Sequence, residues 1–167
     1  MFRRIHIILV LLPTATRALC PPDYTRLSAD VCTIQLNESR HFCDACNLCS
    51  NYGKQHNQLV FLHGRNVNLV KTILQPGSRA WNGMHGFLGI PEFKSVAGWR
   101  DLDPKTPEIT SAPDLFKWAV NQPDGNQPNL AYHKKYDAMY DIHSGPANYV
   151  REVHCECALD STCRSIY

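Results

Sequence analysis

The run Trp118-Ala119-Val120-Asn121-Gln122-Pro123-Asp124, followed by Tyr140-Asp141 and then Cys155-Glu156, holds the residue types best able to do chemistry in this 167-residue chain. An amide and a carboxylate flank one proline, a further amide follows at Asn129, and a second acid stands at Asp141. Side-chain oxygens in this arrangement suit two tasks. They can ligate a hard cation such as calcium, which takes roughly six to eight oxygens, or hydrogen-bond the hydroxyls of a sugar. Pro-Asp-Gly is also ordinary turn chemistry, so the same stretch reads as a polar loop as well. No Gly-x-Ser-x-Gly elbow, phosphate-cradling glycine loop or paired-acid motif occurs, and no two histidines stand at His-x3-His spacing. The pattern points to binding and not to an enzyme.

Those oxygens need a scaffold, and length and cysteine usage indicate which kind. The chain is long enough for one domain with a real core. Met1–Ala18 reads as an export signal. Arg3 and Arg4 supply the positive start, Ile5 to Leu12 a short apolar run that Pro13 ends, and Thr16-Arg17-Ala18 the small residues of a cleavage site. The competing reading is a buried N-terminal strand. The run is far shorter than the ~20 residues of a membrane span, and no other segment could span a bilayer. The product is therefore expected to be secreted and extracellular, a single domain over 19–167. Arg3, Arg4 and Arg17 are three of the 17 basic residues, so the remainder is close to neutral against 15 acidic ones. With no basic run to neutralise phosphates, nucleic acid is not expected as a partner.

All eight cysteines (Cys20, Cys32, Cys43, Cys46, Cys49, Cys155, Cys157 and Cys163) lie beyond the signal. An even number in an exported chain favours a disulfide framework. Cys43-x2-Cys46-x2-Cys49 also has the spacing of a metal site, the reading a reducing compartment would favour. The cysteines cluster at the two ends, with none from Ser50 to His154. Bridges between the clusters would close a loop of about a hundred residues, worth a few kcal/mol in the loop-entropy model.

Periodicity supplies the elements. Cys20 to Cys32 suits a short N-terminal hairpin closed by one bridge. Asn37-Glu38-Ser39 is a glycosylation acceptor, expected on a surface loop. Phe42 to Tyr52 is expected as a helix carrying Cys43, Cys46 and Cys49 on one side. Leu59 to Leu62 and Phe87 to Ile90 read as apolar strands. Asn66 to Leu74 has helical spacing until Gln75-Pro76-Gly77 stops it. From Asp103 to Asn129 the chain carries Pro104, Pro107, Pro113, Pro123 and Pro128. A loop that long is usually functional. Tyr136 to Tyr140 and Tyr149 to His154 read as closing strands. Trp81, Trp99 and Trp118 are expected in the core, Trp118 bracing the loop. The class is α+β.

This order of pieces resembles the C-type lectin-like domain over nearly all of the chain after the signal. Cys20-Pro21-Pro22-Asp23-Tyr24 looks like that family's N-terminal entry, and Cys49 its first-helix cysteine. Phe87-Leu88-Gly89-Ile90 is similar to its Trp-Ile-Gly-Leu signature, and Trp99 with Asp101 to the Trp-x-Asp that follows. Gln122-Pro123-Asp124 after Trp118 resembles its long-loop motif, and Cys155-Glu156 its final Cys-Glu. The resemblance implies a C-type lectin-like fold, two helices with antiparallel sheets and a long loop, stapled by disulfides. It implies Cys49 bridged to Cys155 and Cys20 to Cys32. The family's second long-range bridge is missing, with Ala131 and about Gly145 at its places. Bridges from Cys43 and Cys46 to Cys157 and Cys163 are expected to tie the C-terminal tail to the first helix instead.

In sugar-binding members a calcium ion is held by the loop motif, a later glutamate and the Asn-Asp of Trp-Asn-Asp, and it accepts two neighbouring sugar hydroxyls. The resemblance therefore implies Gln122, Asp124, Asn129 and Asp141 as carbohydrate-binding residues and as calcium ligands. A cis bond before Pro123 would aim both loop ligands one way. The Gln-Pro-Asp order resembles galactose-preferring members. The chain departs from the pattern in three places. Asn129 replaces the glutamate, Tyr140-Asp141-Ile142 replaces Trp-Asn-Asp, and Gly125-Asn126 stands where galactose-type members carry an aromatic. Two expectations follow: a secreted protein that binds glycans or a glycoprotein surface with calcium assistance, or a calcium-independent domain of this fold that binds a protein partner.

Overall fold

The computed structural model of the protein describes residues 20–39, 41–86, 99–107, 117–124, 127–143 and 151–157. The expected signal over 1–18, the Phe87 to Ile90 strand, Gly125, Asn126, Gly145, Tyr149 and Cys163 lie outside them. The chain-order elements are β1 (Thr25–Arg26), β2 (Cys32–Ser39), α1 (Phe42–Gln55), β3 (Val60–Leu62), α2 (Val67–Val70), β4 (Arg79–His85), β5 (Asn129–His133), β6 (Ala138–Ile142) and β7 (Arg151–Cys157).

The last strand organises the rest. All seven residues of β7 are buried. One edge pairs antiparallel with β2, Ile34 opposite Cys155, and β1 extends that side. The other edge is shared. β3 takes Cys155 to Cys157 antiparallel, and β4 takes Glu152 in parallel through Ala80. β5 and β6 then add antiparallel beyond β4. Sequence order thus brings the N-terminal hairpin beside the last strand, leaving the β5–β6 pair at the far side.

Helix α1 packs across this sheet because Phe42, Ala45, Cys49 and Gly53 recur at helical spacing and are buried. Asp44 in the first turn and Lys54 in the last complement the helix dipole. Phe42 meets Trp81 edge-on at 5.7 Å, and Cys49 is bridged to Cys155. Gly53 permits a close approach, since a Cβ there would stand 2.6 Å from the Gln58 carbonyl. The core forms two clusters. One gathers α1, β2, β3, β7 and Trp81, the other α2, β4, β5, β6 and Trp99.

Several expectations are corrected. Only Val67–Val70 of the Asn66 to Leu74 segment is α-helical, and turns carry the chain on to bury Leu74. Lys134–Tyr136 is a 3-10 turn and β6 begins at Ala138, because Asp137 takes a left-handed conformation (φ 46°) that breaks the strand. Asn37 lies within β2 and not on a loop. Strands β4 and β5 were absent from the expected set. Arg79-Ala80-Trp81-Asn82-Gly83-Met84-His85 shows no alternation, because residues 80–84 are all buried. Its buried Asn82 is satisfied locally: Nδ2 donates to the Gly64 carbonyl (2.8 Å) and Oδ1 accepts from Met84 N (2.9 Å).

The cysteines divide differently from the expected set. Cys20–Cys32 and Cys49–Cys155 are bridged, but Cys43 and Cys46 are free thiols and make no bond to the C-terminal cysteines. Geometry forbids the expected pairing with Cys157. α1 starts beside Ser39, which pairs with Arg151, whereas Cys157 is the opposite end of β7, about 20 Å along a seven-residue strand. Cys157 is disulfide-bonded, to a partner outside the described residues. Burial pushes the Cys46 thiol up to about 12, which keeps it protonated at neutral pH.

Candidate functional site

The loop approaching the β5–β6 pair is fixed first by backbone. Trp118 pairs in parallel with Met139 of β6, Ala119 N donating to the Met139 carbonyl (3.0 Å) and Met139 N to the Lys117 carbonyl (2.8 Å). The Trp118 ring stands 6.3 Å from the fully buried Trp99, which braces the loop from beneath. Gln122 N donates to the Ala119 carbonyl (3.0 Å), closing a turn with Asn121 left-handed at φ 64°. The Gln122–Pro123 peptide is cis.

Side chains then tie this turn to β6. Gln122 Oε1 accepts from Asp141 N (3.2 Å), and Asp141 Oδ1 accepts from Asp124 N (3.1 Å). Asp141 is 3% exposed, Gln122 half-buried and Asp124 exposed. The structure therefore brings Gln122, Asp124 and Asp141 into one cluster. Asn129 sits across the ladder from Ile142, fully buried, with Nδ2 donating to the Ile142 carbonyl (3.3 Å). Its Oδ1 is buried without a partner among the described residues.

Calcium wants roughly six to eight oxygens, several of them anionic. Here Gln122 Oε1 and one Asp141 oxygen are already hydrogen-bond acceptors within the cluster. Ile142 offers no side-chain oxygen, and Asn129 turns its amide nitrogen toward β6. No group of three or more acid, histidine or cysteine side chains among the described residues could hold a metal. Among the described residues the orphaned Asn129 oxygen asks for a cation, and the donor set around it is too small and too weakly charged. The described residues do not fit a resident calcium ion.

Several buried titratable groups escaped the sequence reading. His63 and His154 are fully buried. His63 Nδ1 bonds the His154 carbonyl (3.1 Å), and His154 Nε2 meets Glu152 Oε2 (2.8 Å). Burial, then His154, lowers His63 to about 3. Glu156 accepts from Asn66 Nδ2 (2.7 Å); burial is the main reason its carboxyl rises to about 7. The alternation of polar and cysteine residues in Arg151–Cys157 was the available signal, masked because polar residues usually mark an exposed face.

The protein resembles solved structures of one fold. The human scavenger receptor C-type lectin carbohydrate-recognition domain is 19% identical with a TM-score of 0.58, covering 84% of this chain and 99% of its own. The C-type lectin domain of murine dendritic cell inhibitory receptor 2, solved in complex with N-glycan, is 17% identical with a TM-score of 0.59, over 84% and 99%. A calcium-independent type II antifreeze protein is 18% identical with a TM-score of 0.59, over 87% and 98%. No protein-family model matches the sequence, and no curated protein sequence does either. At this level of identity the likeness shows the C-type lectin-like fold.

Proposed function

We propose that this chain is an exported carbohydrate-binding protein that takes sugar hydroxyls directly at the junction of the Trp118–Asp124 loop with β6, without a resident calcium ion. The observation that supports it is the mutual placement of Gln122, Asp124 and Asp141, joined by two hydrogen bonds at the surface end of a buried strand pair. A cluster that is already bonded internally is preorganised, so a ligand meets groups whose ordering has been completed in the free protein. Gln122 Oε1 is committed to Asp141 N, so its Nε2 supplies donors, while the exposed Asp124 carboxylate supplies acceptors. Sugar hydroxyls need both. The Gln-Pro-Asp order makes galactose the first sugar to test. Export is supported by two disulfides, which persist in oxidising compartments. No helix among the described residues is long and apolar enough to cross a membrane.

A protein partner is the second reading, and Val120 favours it. This residue is 88% exposed at the turn, an apolar tip that a protein surface would cover.

Calorimetry with galactose, in millimolar calcium and again in EDTA, separates the possibilities. The expected result is the same weak binding in both buffers, abolished by Asp124→Ala. Binding lost in EDTA, or a melting temperature raised by calcium, would contradict the calcium-free site. Absence of heat in both buffers would leave the protein-partner reading.

A further inference from the structure

The face of the β5–β6 pair turned away from Asp141 carries a hollow that sugar binding does not use. Side chains alternate across a strand, so Ala131, His133, Tyr140 and Ile142 share the face opposite Asp141. Register places Arg79 of β4 beside His133 and Ala131 beside Tyr140. Arg151 of β7 and Tyr136 of the 3-10 turn complete the wall of a cavity of about 250 Å³. Three of its wall residues form a cluster of rings. His133 stands 4.6 Å from Tyr136 and 6.3 Å from Tyr140, and the two tyrosines are 6.5 Å apart. Tyr136 is 53% exposed and marks the open side.

Among the described residues the charges that act on His133 are positive. Burial first, then Arg79, Lys135 and Arg151, hold His133 below its ordinary value, so each charge the structure sets on it is positive. Burial and then Arg79 bring Arg151 down to about 10. Arg151 also lies over the Trp81 ring at 4.5 Å. Each guanidinium carries a fork of N–H donors matched to a carboxylate or sulfate, so one can keep an existing contact and still meet an acid.

We propose that this hollow binds a small aryl acid, a single aromatic ring bearing one carboxylate or sulfate, with the ring packed against the cluster of His133, Tyr136 and Tyr140 and the acid on Arg79 and Arg151. Size decides for one ring: an apolar cavity of about 150 Å³ takes a benzene, which leaves room here for the acid and little more. The two arginines favour an anion over a sugar. The two arginines only donate, and a ring of hydroxyls would find few acceptors among them. Aromatic side chains favour a flat partner in stacked or edge-on contact.

The test is calorimetry on the full chain with four probes: phenyl sulfate, benzoate, sodium sulfate and phenol. Phenyl sulfate or benzoate should bind one to one, with phenol and sodium sulfate at least about tenfold weaker, since each lacks one half of the recognition. Arg79→Gln should weaken the aryl acid by at least about tenfold. Asp124→Ala, on the other face, should leave it unchanged, which keeps this result separate from the fate of the sugar site. Should Arg79→Gln fail to fold, Tyr136→Ala on the open rim should still cost about fivefold. Phenol or sodium sulfate binding as tightly as the aryl acids, no binding of either aryl acid, or affinity indifferent to the variants would overturn the proposal.

Discussion

Around α1 and β7 the chain is held covalently and by apolar packing; the Trp118–Asp124 loop is tied to β6 by hydrogen bonds from backbone amides to backbone carbonyls and to polar side chains. The first region contains both bridges seen among the described residues and a cluster of Phe42, Leu62, Trp81 and Val153. The second rests on Leu130, Tyr132, Met139 and Trp99 below, with Gln122, Asp124 and Asp141 bonded above. The difference separates two jobs. Covalent staples set the position of the strands whatever the loop does, so the loop residues are left to be chosen for what they can bind.

The comparison breaks first at the long-range bridge. Cys49→Ala with Cys155→Ala opens a sequence separation of 106 and should cost roughly 4–5 kcal/mol in denaturant unfolding. Opening Cys20–Cys32, separation 12, should cost about 3 kcal/mol. Equal losses would show that the staple does not act through the chain length it closes.

Next is the loop anchor. Asp141→Ala removes the buried acceptor of Asp124 N and should cost about 2 kcal/mol while abolishing sugar binding. A variant that loses binding at undiminished stability would show that Asp141 touches ligand and is no anchor.

Glu156→Gln tests the buried polar chemistry of the first region. Its carboxyl is raised from 4.5 to about 7, first by burial, while the Asn66 bond opposes the rise. The native state therefore holds the proton more tightly than the unfolded chain. That group's contribution is fully present below about pH 4.5 and is lost as pH rises through about 7. The amide keeps an acceptor for Asn66 Nδ2, so the variant should be more stable by roughly 3 kcal/mol at pH 8 and unchanged near pH 4. A pH profile parallel to that of the unaltered protein would contradict the shift.

Smallest is Val120→Ser. The side chain is 88% exposed, so stability should change by less than about 0.5 kcal/mol. A larger loss would mean that the turn is packed and not an open rim.

The two regions also differ in how far the sequence disclosed them. α1 was legible because Phe42, Ala45 and Cys49 repeat at helical spacing, and β3 because Val60-Phe61-Leu62 is an unbroken apolar run. β7 was legible only in part, since its interior position hides behind Arg151, Glu152, His154 and Glu156: Trp81 and Asn66 of other segments meet Arg151 and Glu156, and His154 meets Glu152 within the strand. β4 could not be read at all: residues buried on both faces lose the alternation that identifies a strand. In the second region the types and order of Gln122, Asp124 and Asp141 were plain. That Asp141 would spend an oxygen on Asp124 N was not, because it depends on a turn whose register only the folded loop fixes. The aryl pocket had no sequence signal, since Arg79, His133, Tyr140 and Arg151 come from four strands.

The most direct test of the sugar site is an amide-resolved titration. Asp124 N donates to the Asp141 carboxylate and Asp141 N to the Gln122 amide, so both amides lie inside the cluster that must meet the ligand. Galactose added to the labelled protein in EDTA should produce saturable shifts at Asp124 and Asp141, with Cys49 and Val153 unmoved. Saturable shifts confined to other residues, or none at either amide, would contradict the reading.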